Sequence, residues 1–334
     1  MRDTLDAYEK NPSKATYRAF ATAAEPRRQE LIRRLNSVPG ATGALVRMRA
    51  DLLRLSNKDP QLEALDLDFR HLFASWFNRG FLVLRPINWE SPVHILEKIT
   101  AYEAVHAIDS WSDLRRRLEP SDRRCFAFFH PSMPDEPLIF VEVALSRGVP
   151  NSVQGVLAED RAPMPADEAD TAVFYSISNC QAGLASISFG NSLIKQVAHD
   201  LSAELPNLET FVTLSPIPNL TRWLTKEKVE FANATPETMT SLAAHYLLNA
   251  KGRDDMPFDP VARFHLGNGA IVHAVHAEAD VSVKGRAQSG GTMVNYLYDL
   301  GKVAQNHERF ATTKEVAASA DVQTLAQAAP LTQT

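Results

Sequence analysis

The strongest constraint on the fold of this chain is a change in hydrophobic pattern near Gly80. Before it, apolar residues recur at helical spacing, and the widest apolar stripe comprises Leu65, Phe69, Leu72, Phe73, Trp76 and Phe77. After it, short apolar runs bounded by proline and glycine dominate, beginning at residues 81–84. The pattern therefore predicts a helical region followed by a β-rich region.

The helical region covers residues 15–79 and suggests about three helices joined by short turns. We expect two of these helices to end at Pro39-Gly40 and at Asp59-Pro60. The last helix is expected to end at Gly80. Such a bundle offers little chemistry. We expect it to serve in oligomerisation or in support of the second domain.

The β-rich region predicts a mixed sheet with a few helices, an α+β arrangement. An amphipathic helix is expected at 191–205, and the 311–334 end suggests a helix or a disordered tail. The predicted domains are 1–80, 81–310 and this terminal segment. Predicted strands cover 81–84, 125–130, 138–145, 171–178, 211–215, 261–265 and 270–276.

Composition narrows the class of protein. The 334 residues exceed what one ordinary core accommodates, and 45% hydrophobic with 22% charged residues is typical of a globular protein. Lys+Arg 35 against Asp+Glu 40 gives 35 − 40 = −5, so no global basic field attracts nucleic acid. Without a visible secretory signal or membrane-spanning apolar run, we expect a cytoplasmic protein in which Cys125 and Cys180 are free thiols.

Two segments place chemically active side chains at predicted strand ends. In Thr-Leu-Ser-Pro-Ile-Pro, residues 213–218, two prolines end a strand and leave Ser215 at its tip. In 263–270, His265 lies just before an Asn-Gly turn signal. The pair indicates a site, although serine and histidine are common enough for a chance pairing to stay open.

The segment between the strand at 171–178 and the helix at 191–205 is rich in small residues. Small residues let backbone amides approach a ligand, and the N-terminus of a helix favours an anion such as a pyrophosphate. The sequence matches neither a Walker loop nor a dinucleotide fingerprint. An ordinary strand-to-helix connection is the competing interpretation.

Other polar groups carry weaker predictions. Residues three apart on a strand face opposite sides, so His273 and His276 cannot easily share a metal ion, and the metal interpretation with Glu278 and Asp280 is rejected. Residues 284–291 suggest a flexible basic turn. His106 and His130 flank turns, as site members or as ordinary surface histidines.

Several blocks in one order resemble the malonyl-CoA decarboxylase family over most of residues 80–310. They are the residues at 102–106, 136–138, 174–178, 193–195, 214–218, 264–270, 279–282 and 293–296. The resemblance implies an N-terminal helical domain used in assembly and a catalytic domain similar to GNAT acyltransferases. It also implies conversion of malonyl-CoA to acetyl-CoA and CO2, as in fatty acid metabolism.

The resemblance also implies site residues. Ser215 and His265 match the family's catalytic serine and histidine, an essential lysine corresponds to Lys98, and His130 is a possible supporting residue. The CoA-binding loop corresponds to Ala185, Ser186, Ile187, Ser188, Phe189, Gly190 and Asn191. Two departures are Ser188, where the family can carry a glutamate, and a helical domain that looks shorter than in longer members.

The expected mechanism needs no metal, biotin, pyridoxal or thiamine, because the thioester carbonyl accepts the electrons released with CO2 as an enolate. His265 is the expected proton donor, since an ordinary imidazole pKa allows a proton near neutrality, and Ser215 is expected to orient the malonyl group. We expect a homo-oligomer, a dimer or tetramer, with no nucleic-acid or membrane partner. The alternatives are a GNAT-type acyl-CoA acyltransferase and a non-catalytic acyl-CoA sensor.

Overall fold

The computed structural model describes residues 1–55, 59–187 and 193–330. The chain forms two compact units. The first consists of Met1–Val83, His130–Pro134 and Gln181–Phe189, and the second of Leu84–Phe129, Asp135–Cys180 and Gly190–Thr334. The predicted domain limits stay predictions.

The described residues of the first unit contain five α-helices, where the sequence suggested about three over residues 15–79. They are α1 (Arg2–Lys10), α2 (Lys14–Ala24), α3 (Arg27–Asn36), α4 (Ala41–Leu55) and α5 (Pro60–Trp76). The apolar stripe on α5 is confirmed as core, because Phe69, Phe73 and Phe77 are fully buried and their rings meet edge to face at 5.4 and 5.5 Å. Asp59 accepts a hydrogen bond from the Gln61 amide at 2.8 Å, so the Asp-Pro pair expected to close one helix also begins the next.

The sheet has eight strands among the described residues, in the order β1-β2-β3-β4-β5-β8-β6, with β7 pairing to β8. The pairs β3–β4, β5–β8, β6–β8 and β7–β8 are antiparallel, whereas β4–β5 is parallel. N-terminal helices followed by a mixed sheet confirm the α+β prediction. The strands are β1 (Val83–Ile87), β2 (Arg123–His130), β3 (Met133–Ser146), β4 (Thr171–Asn179), β5 (Thr210–Thr213), β6 (Ser215–Pro216), β7 (Ile271–His276) and β8 (Met293–Leu297).

Ten further helices follow β1 in the described residues. They are α6 (Val93–Tyr102), α7 (Trp111–Leu118), α8 (Val153–Leu157), α9 (Leu193–Glu204), α10 (Leu220–Lys226), α11 (Pro236–Asn249), α12 (Pro260–Gly267), α13 (Val283–Ser289), α14 (Val303–Thr313) and α15 (Ala320–Gln327). None of the helices in the described ranges combines the length and the apolar character needed to cross a membrane. Both cysteines are buried free thiols.

The strand predicted at 261–265 is wrong, because these residues lie in helix α12. Asp259 caps the helix, and its Oδ1 accepts hydrogen bonds from the amides of Val261 at 2.9 Å and Ala262 at 3.0 Å. Pro260 occupies the first helical turn, where its missing N–H costs nothing. His265 therefore projects from the last turn of a helix.

The flexible basic turn predicted at 284–291 is also wrong, since most of this segment is helix α13. Ser282 caps its start by accepting from the Gly285 amide at 3.0 Å, and Gly290 ends it with a left-handed φ of 62°. Lys284 is not a free loop cation. Its Nζ donates to the carbonyl of Ala104 at 2.5 Å.

Candidate active site

The site begins where two parallel strands separate. Strands β4 and β5 pair as far as Phe174 and Thr213, and the Leu214 amide then donates to the Phe174 carbonyl at 3.0 Å. Beyond this point β4 continues to Asn179, whereas the segment after β5 passes into β6, which pairs with β8. A cavity of about 250 Å³ lies between the separating strands.

The cavity wall is mainly apolar, with a few convergent polar groups. Strand β4 contributes one wall, residues 214–216 the opposite one, and α12 a third. This composition is typical of a small-molecule site. The lining residues are Val105, Phe174, Tyr175, Ile177, Asn179, Leu214, Ser215, Pro216, Pro260, Val261, Phe264 and His265.

Ser215 and His265 meet at this cavity. The Ser215 Oγ lies 3.2 Å from the His265 Nε2, although the two residues are 50 positions apart in the chain. Ser215 Oγ also donates to the Thr213 Oγ1 at 2.8 Å. The structure therefore brings together the two side chains that the sequence singled out.

Burial favours the neutral form of the His265 imidazole in the free protein. Its side chain is buried and stacks on Tyr296, with ring centroids 4.4 Å apart, and burial lowers its pKa to about 3. The expectation that an ordinary pKa lets this imidazole hold a proton near neutrality is therefore not met in the free protein, because burial removes most of the water that would solvate a charged ring.

Tyr298 contacts the second nitrogen of that ring. Its hydroxyl lies 2.8 Å from the His265 Nδ1, and burial raises the pKa of Tyr298, so the phenol keeps its proton. Because the Ser215 hydroxyl donates to Thr213, its contact with His265 uses a proton on Nε2. The Nδ1 of the neutral ring therefore accepts from the Tyr298 hydroxyl. Tyr298 was missed from the sequence, where it is one more aromatic residue after an apolar strand.

A buried aspartate, Asp259, holds the start of α12. Tyr246 donates to the Asp259 Oδ2 at 3.1 Å, while the other oxygen of Asp259 caps the helix. Burial raises the pKa of Asp259, and the helix amides partly oppose that shift. This network fixes the helix that carries His265.

Three residues of the predicted CoA-binding loop, Ala185, Ser186 and Ile187, lie within the described structure. The other four, Ser188, Phe189, Gly190 and Asn191, fall outside the described residues. Ser186 has a left-handed φ of 62°. The segment is anchored by Arg49, whose buried Nη1 donates to the carbonyl of Ala185 at 3.0 Å and to that of Gly183 at 2.7 Å.

Lys98 and His130 are not among the residues that line the described cavity. Lys98 Nζ donates to the Asp135 carbonyl at 2.7 Å and pairs with Glu136 at 2.9 Å. The His130 ring packs on Phe77 with centroids 5.0 Å apart, and burial lowers its pKa. Their supporting roles stay predictions.

His273 and His276, which were considered for a metal site, make hydrogen bonds within the protein. His276 Nε2 contacts the Asn295 Oδ1, and Ser319 donates to the His273 carbonyl at 2.8 Å. Within residues 1–55, 59–187 and 193–330 no group of three or more metal-type side chains comes together.

Comparisons with known proteins agree over nearly the whole chain. Residues 1–77 match the family model for the malonyl-CoA decarboxylase N-terminal domain, and residues 80–236 and 225–334 match that for the C-terminal domain. The mitochondrial malonyl-CoA decarboxylase of Anser anser anser is 34% identical over 89% of this chain and 69% of its own length. That of Mus musculus is 33% identical over 90% and 71%.

Solved structures are closer still. Malonyl-CoA decarboxylase from Agrobacterium vitis is 50% identical, covers 97% of this chain and 86% of its own, and superposes with a TM-score of 0.91. The enzyme from Rhodopseudomonas palustris is 48% identical, covers 97% and 85%, and gives a TM-score of 0.89. The chain thus belongs to the malonyl-CoA decarboxylase family of carboxy-lyases.

Proposed function

We propose that this malonyl-CoA decarboxylase releases CO2 from malonyl-CoA in the cavity beside Ser215 and His265, leaving acetyl-CoA. The observation that carries the assignment is the 3.2 Å contact between the Ser215 Oγ and the His265 Nε2 at the cavity wall. Two convergent polar groups in a mainly apolar space suit a reaction that destroys a charge.

The apolar wall favours loss of CO2. A free carboxylate is poorly solvated among side chains such as Phe174, Ile177 and Leu214, whereas neutral CO2 is not penalised there. When the bond between the carboxylate and the neighbouring carbon breaks, its electron pair passes to the thioester carbonyl and forms an enolate. The substrate thus supplies its own electron sink, which supports the expectation that no cofactor takes part.

Ser215 acts as a hydrogen-bonding group and not as a base. In the free protein its proton points to Thr213, and the Nε2–H of His265 points at its oxygen, so the histidine is not arranged to accept the serine proton. Rotation of the hydroxyl would let it donate to the malonyl carboxylate or to the developing enolate oxygen. Hydrogen bonds to an oxyanion are stronger in a site shielded from water.

His265 supplies the proton that the reaction consumes. A malonyl carboxylate beside the ring raises the pKa of the imidazole, which then takes a proton from solvent. After CO2 leaves, the imidazolium transfers that proton to the enolate carbon and returns to its neutral form. One proton enters and one carbon–hydrogen bond forms for each CO2 released.

The loop of residues 185–191 is proposed to bind the CoA pyrophosphate. Its support is the sequence of small residues before helix α9 and the anchoring of Ala185 by Arg49, a buried cation that also pairs with Asp66 at 2.8 Å.

Assembly through the helical region is proposed as well. Helices α1 and α2 bury no residue, although Tyr8 stacks on Phe20 and packs on Tyr17 between them. Their exposed apolar side chains, with Leu5 38% and Tyr17 57% exposed, suit burial against a second copy. The cytoplasmic location stays a prediction.

The test measures CO2 and acetyl-CoA from malonyl-CoA, without any acceptor, for Ser215→Ala and His265→Asn. General acid catalysis contributes on the order of a hundredfold, so His265→Asn should lose at least that much kcat. Ser241→Ala and His245→Asn, both in α11, are the matched controls and should keep wild-type rates. Near wild-type CO2 release by either site variant would overturn the role given to that residue.

A further inference from the structure

We infer that Thr213 and Asn295 are positioning residues, which orient Ser215 toward His265 by filling a gap in the pairing of β5 and β6 with β8. The inference rests on the proposed function of Ser215 and His265. In this role both buried side chains act on the reaction through Ser215 and do not contact the substrate.

The gap lies between two correctly paired segments. Between them, Thr213 and Leu214 have no paired partner on β8, although the register is unchanged from one side to the other. In that register Thr213 faces Tyr296. The flanking antiparallel pairs are Val212–Leu297 and Ser215–Val294.

At the gap, side chains replace the backbone hydrogen bonds. The Tyr298 amide donates to the Phe211 carbonyl at 2.8 Å, and because such pairs alternate in an antiparallel ladder, the next bond should join the Tyr296 amide to the Thr213 carbonyl. The Tyr296 amide instead donates to the Thr213 hydroxyl at 3.1 Å. The Thr213 carbonyl accepts from the Asn295 Nδ2 at 2.7 Å.

The displaced hydroxyl is the group that fixes Ser215. Thr213 Oγ1, held by the backbone amide of Tyr296, accepts the Ser215 proton at 2.8 Å. With its proton committed to Thr213, the Ser215 oxygen presents a lone pair to the His265 Nε2 at 3.2 Å. A normal ladder bond would use the Thr213 carbonyl and leave its side chain without this role.

Asn295 holds the Thr213 carbonyl in its turned position. The Oδ1 of Asn295 contacts the His276 Nε2, and its Nδ2 also lies 3.4 Å from the Pro150 carbonyl. With both ends of the amide engaged and the side chain fully buried, rotation of Asn295 is blocked. The carbonyl of Thr213 therefore has a fixed substitute for its missing ladder partner.

The experiment compares Thr213→Val, Thr213→Ser, Ser215→Ala and the double variant Thr213→Val/Ser215→Ala in the malonyl-CoA assay. Thr213→Val keeps the shape and removes the hydroxyl, and it should lower kcat by between about 10-fold and about 100-fold with KM changed less than about threefold. Thr213→Ser keeps the hydroxyl and should restore most of kcat. In the Ser215→Ala background, Thr213→Val should have no further effect.

Each alternative result has a distinct meaning. If Ser215→Ala stays active, the proposed function fails, whereas an inactive Ser215→Ala beside a fully active Thr213→Val refutes only the positioning role. Equal loss in Thr213→Ser and Thr213→Val, or additive losses in the double variant, would also refute it. Should Thr213→Val not fold, Asn295→Asp, which replaces the amide donor by an acceptor, must lower kcat at similar KM for the inference to stand.

Discussion

The proton on His265 should arrive with the substrate and be absent without it. Burial lowers the pKa of His265 to about 3, so holding a proton on the free imidazole at pH 7 costs about 5 kcal/mol. A carboxylate about 4 Å from the ring contributes about 4 kcal/mol at an effective dielectric constant of about 20. The pKa in the complex should therefore rise to about 6, leaving about one imidazole in ten protonated at pH 7.

A substrate-dependent proton on His265 has two measurable consequences, a pH profile of kcat and a spectroscopic signature of the ring. Because the protonated ring is the active form, kcat should fall about tenfold per pH unit above about pH 7. Nitrogen NMR of labelled His265 should show a neutral ring down to about pH 4 in the free protein and with acetyl-CoA, which has no carboxylate. An unreactive sulfonate analogue of malonyl-CoA should produce an imidazolium near pH 6. A charged ring in the free protein at pH 7, or a neutral ring in both complexes at pH 6, would refute the argument.

Three further changes have defined outcomes. Tyr298→Phe removes the donor to the His265 Nδ1 and should lower kcat about tenfold with little change in KM, so unchanged steady-state kinetics would contradict the tautomer assignment. Gly183→Ala should lower the melting temperature, because the added Cβ would lie 1.8 Å from a backbone carbonyl oxygen of α4. The control Gly155→Ala, whose Cβ would have its nearest neighbour at 4.0 Å, should leave the melting temperature unchanged. Equal melting temperatures for the two variants would contradict this prediction. Burial lowers the pKa of His106 to about 4 and that of His265 to about 3, so each of these histidines binds more protons in the unfolded chain below pH 6.5, and its contribution to stability falls as the pH is lowered. Glu142, whose pKa burial raises to about 8, acts in the opposite direction, so the histidine contribution is read from the difference between wild type and His265→Asn. In urea titrations that difference in the free energy of unfolding should change by about 2 kcal/mol from pH 8 to pH 5, and a constant difference would contradict the burial of His265 as a neutral ring.

The sequence predicted well those features that depend on local hydrophobic pattern. The helical character before Gly80 and the position of β4 follow from periodicity. The strand expected to end at Ser215 ends instead at Thr213, and Ser215 and Pro216 form the short strand β6. The same reasoning failed for α12, where residues 261–265 suggested a strand. The pair Asp259-Pro260 could have predicted the start of a helix there, because an Asp-Pro pair also begins α5.

The site itself depends on contacts between residues that are far apart in the sequence, and no local pattern encodes such contacts. Expected strand ends suggested a site at Ser215 and His265, the family resemblance gave both residues catalytic roles, and their contact follows from the sheet and α12 together. Thr213 looked like any β-branched residue of a strand, since a hydroxyl that replaces a ladder carbonyl is visible only once β8 lies beside it. The low pKa of His265 likewise depends on burial by Tyr296 and its neighbours, which sequence spacing does not specify.

The proposed roles of Ser215 and His265 are tested most directly by a structure of the protein with the sulfonate analogue of malonyl-CoA bound. We expect the sulfonate in the mainly apolar cavity, with an oxygen of the acyl group within about 3.2 Å of the Ser215 Oγ and the ring of His265 beside the carbon to be protonated. An acyl group bound elsewhere, with the Ser215–His265 contact undisturbed and the cavity free of ligand, would contradict it.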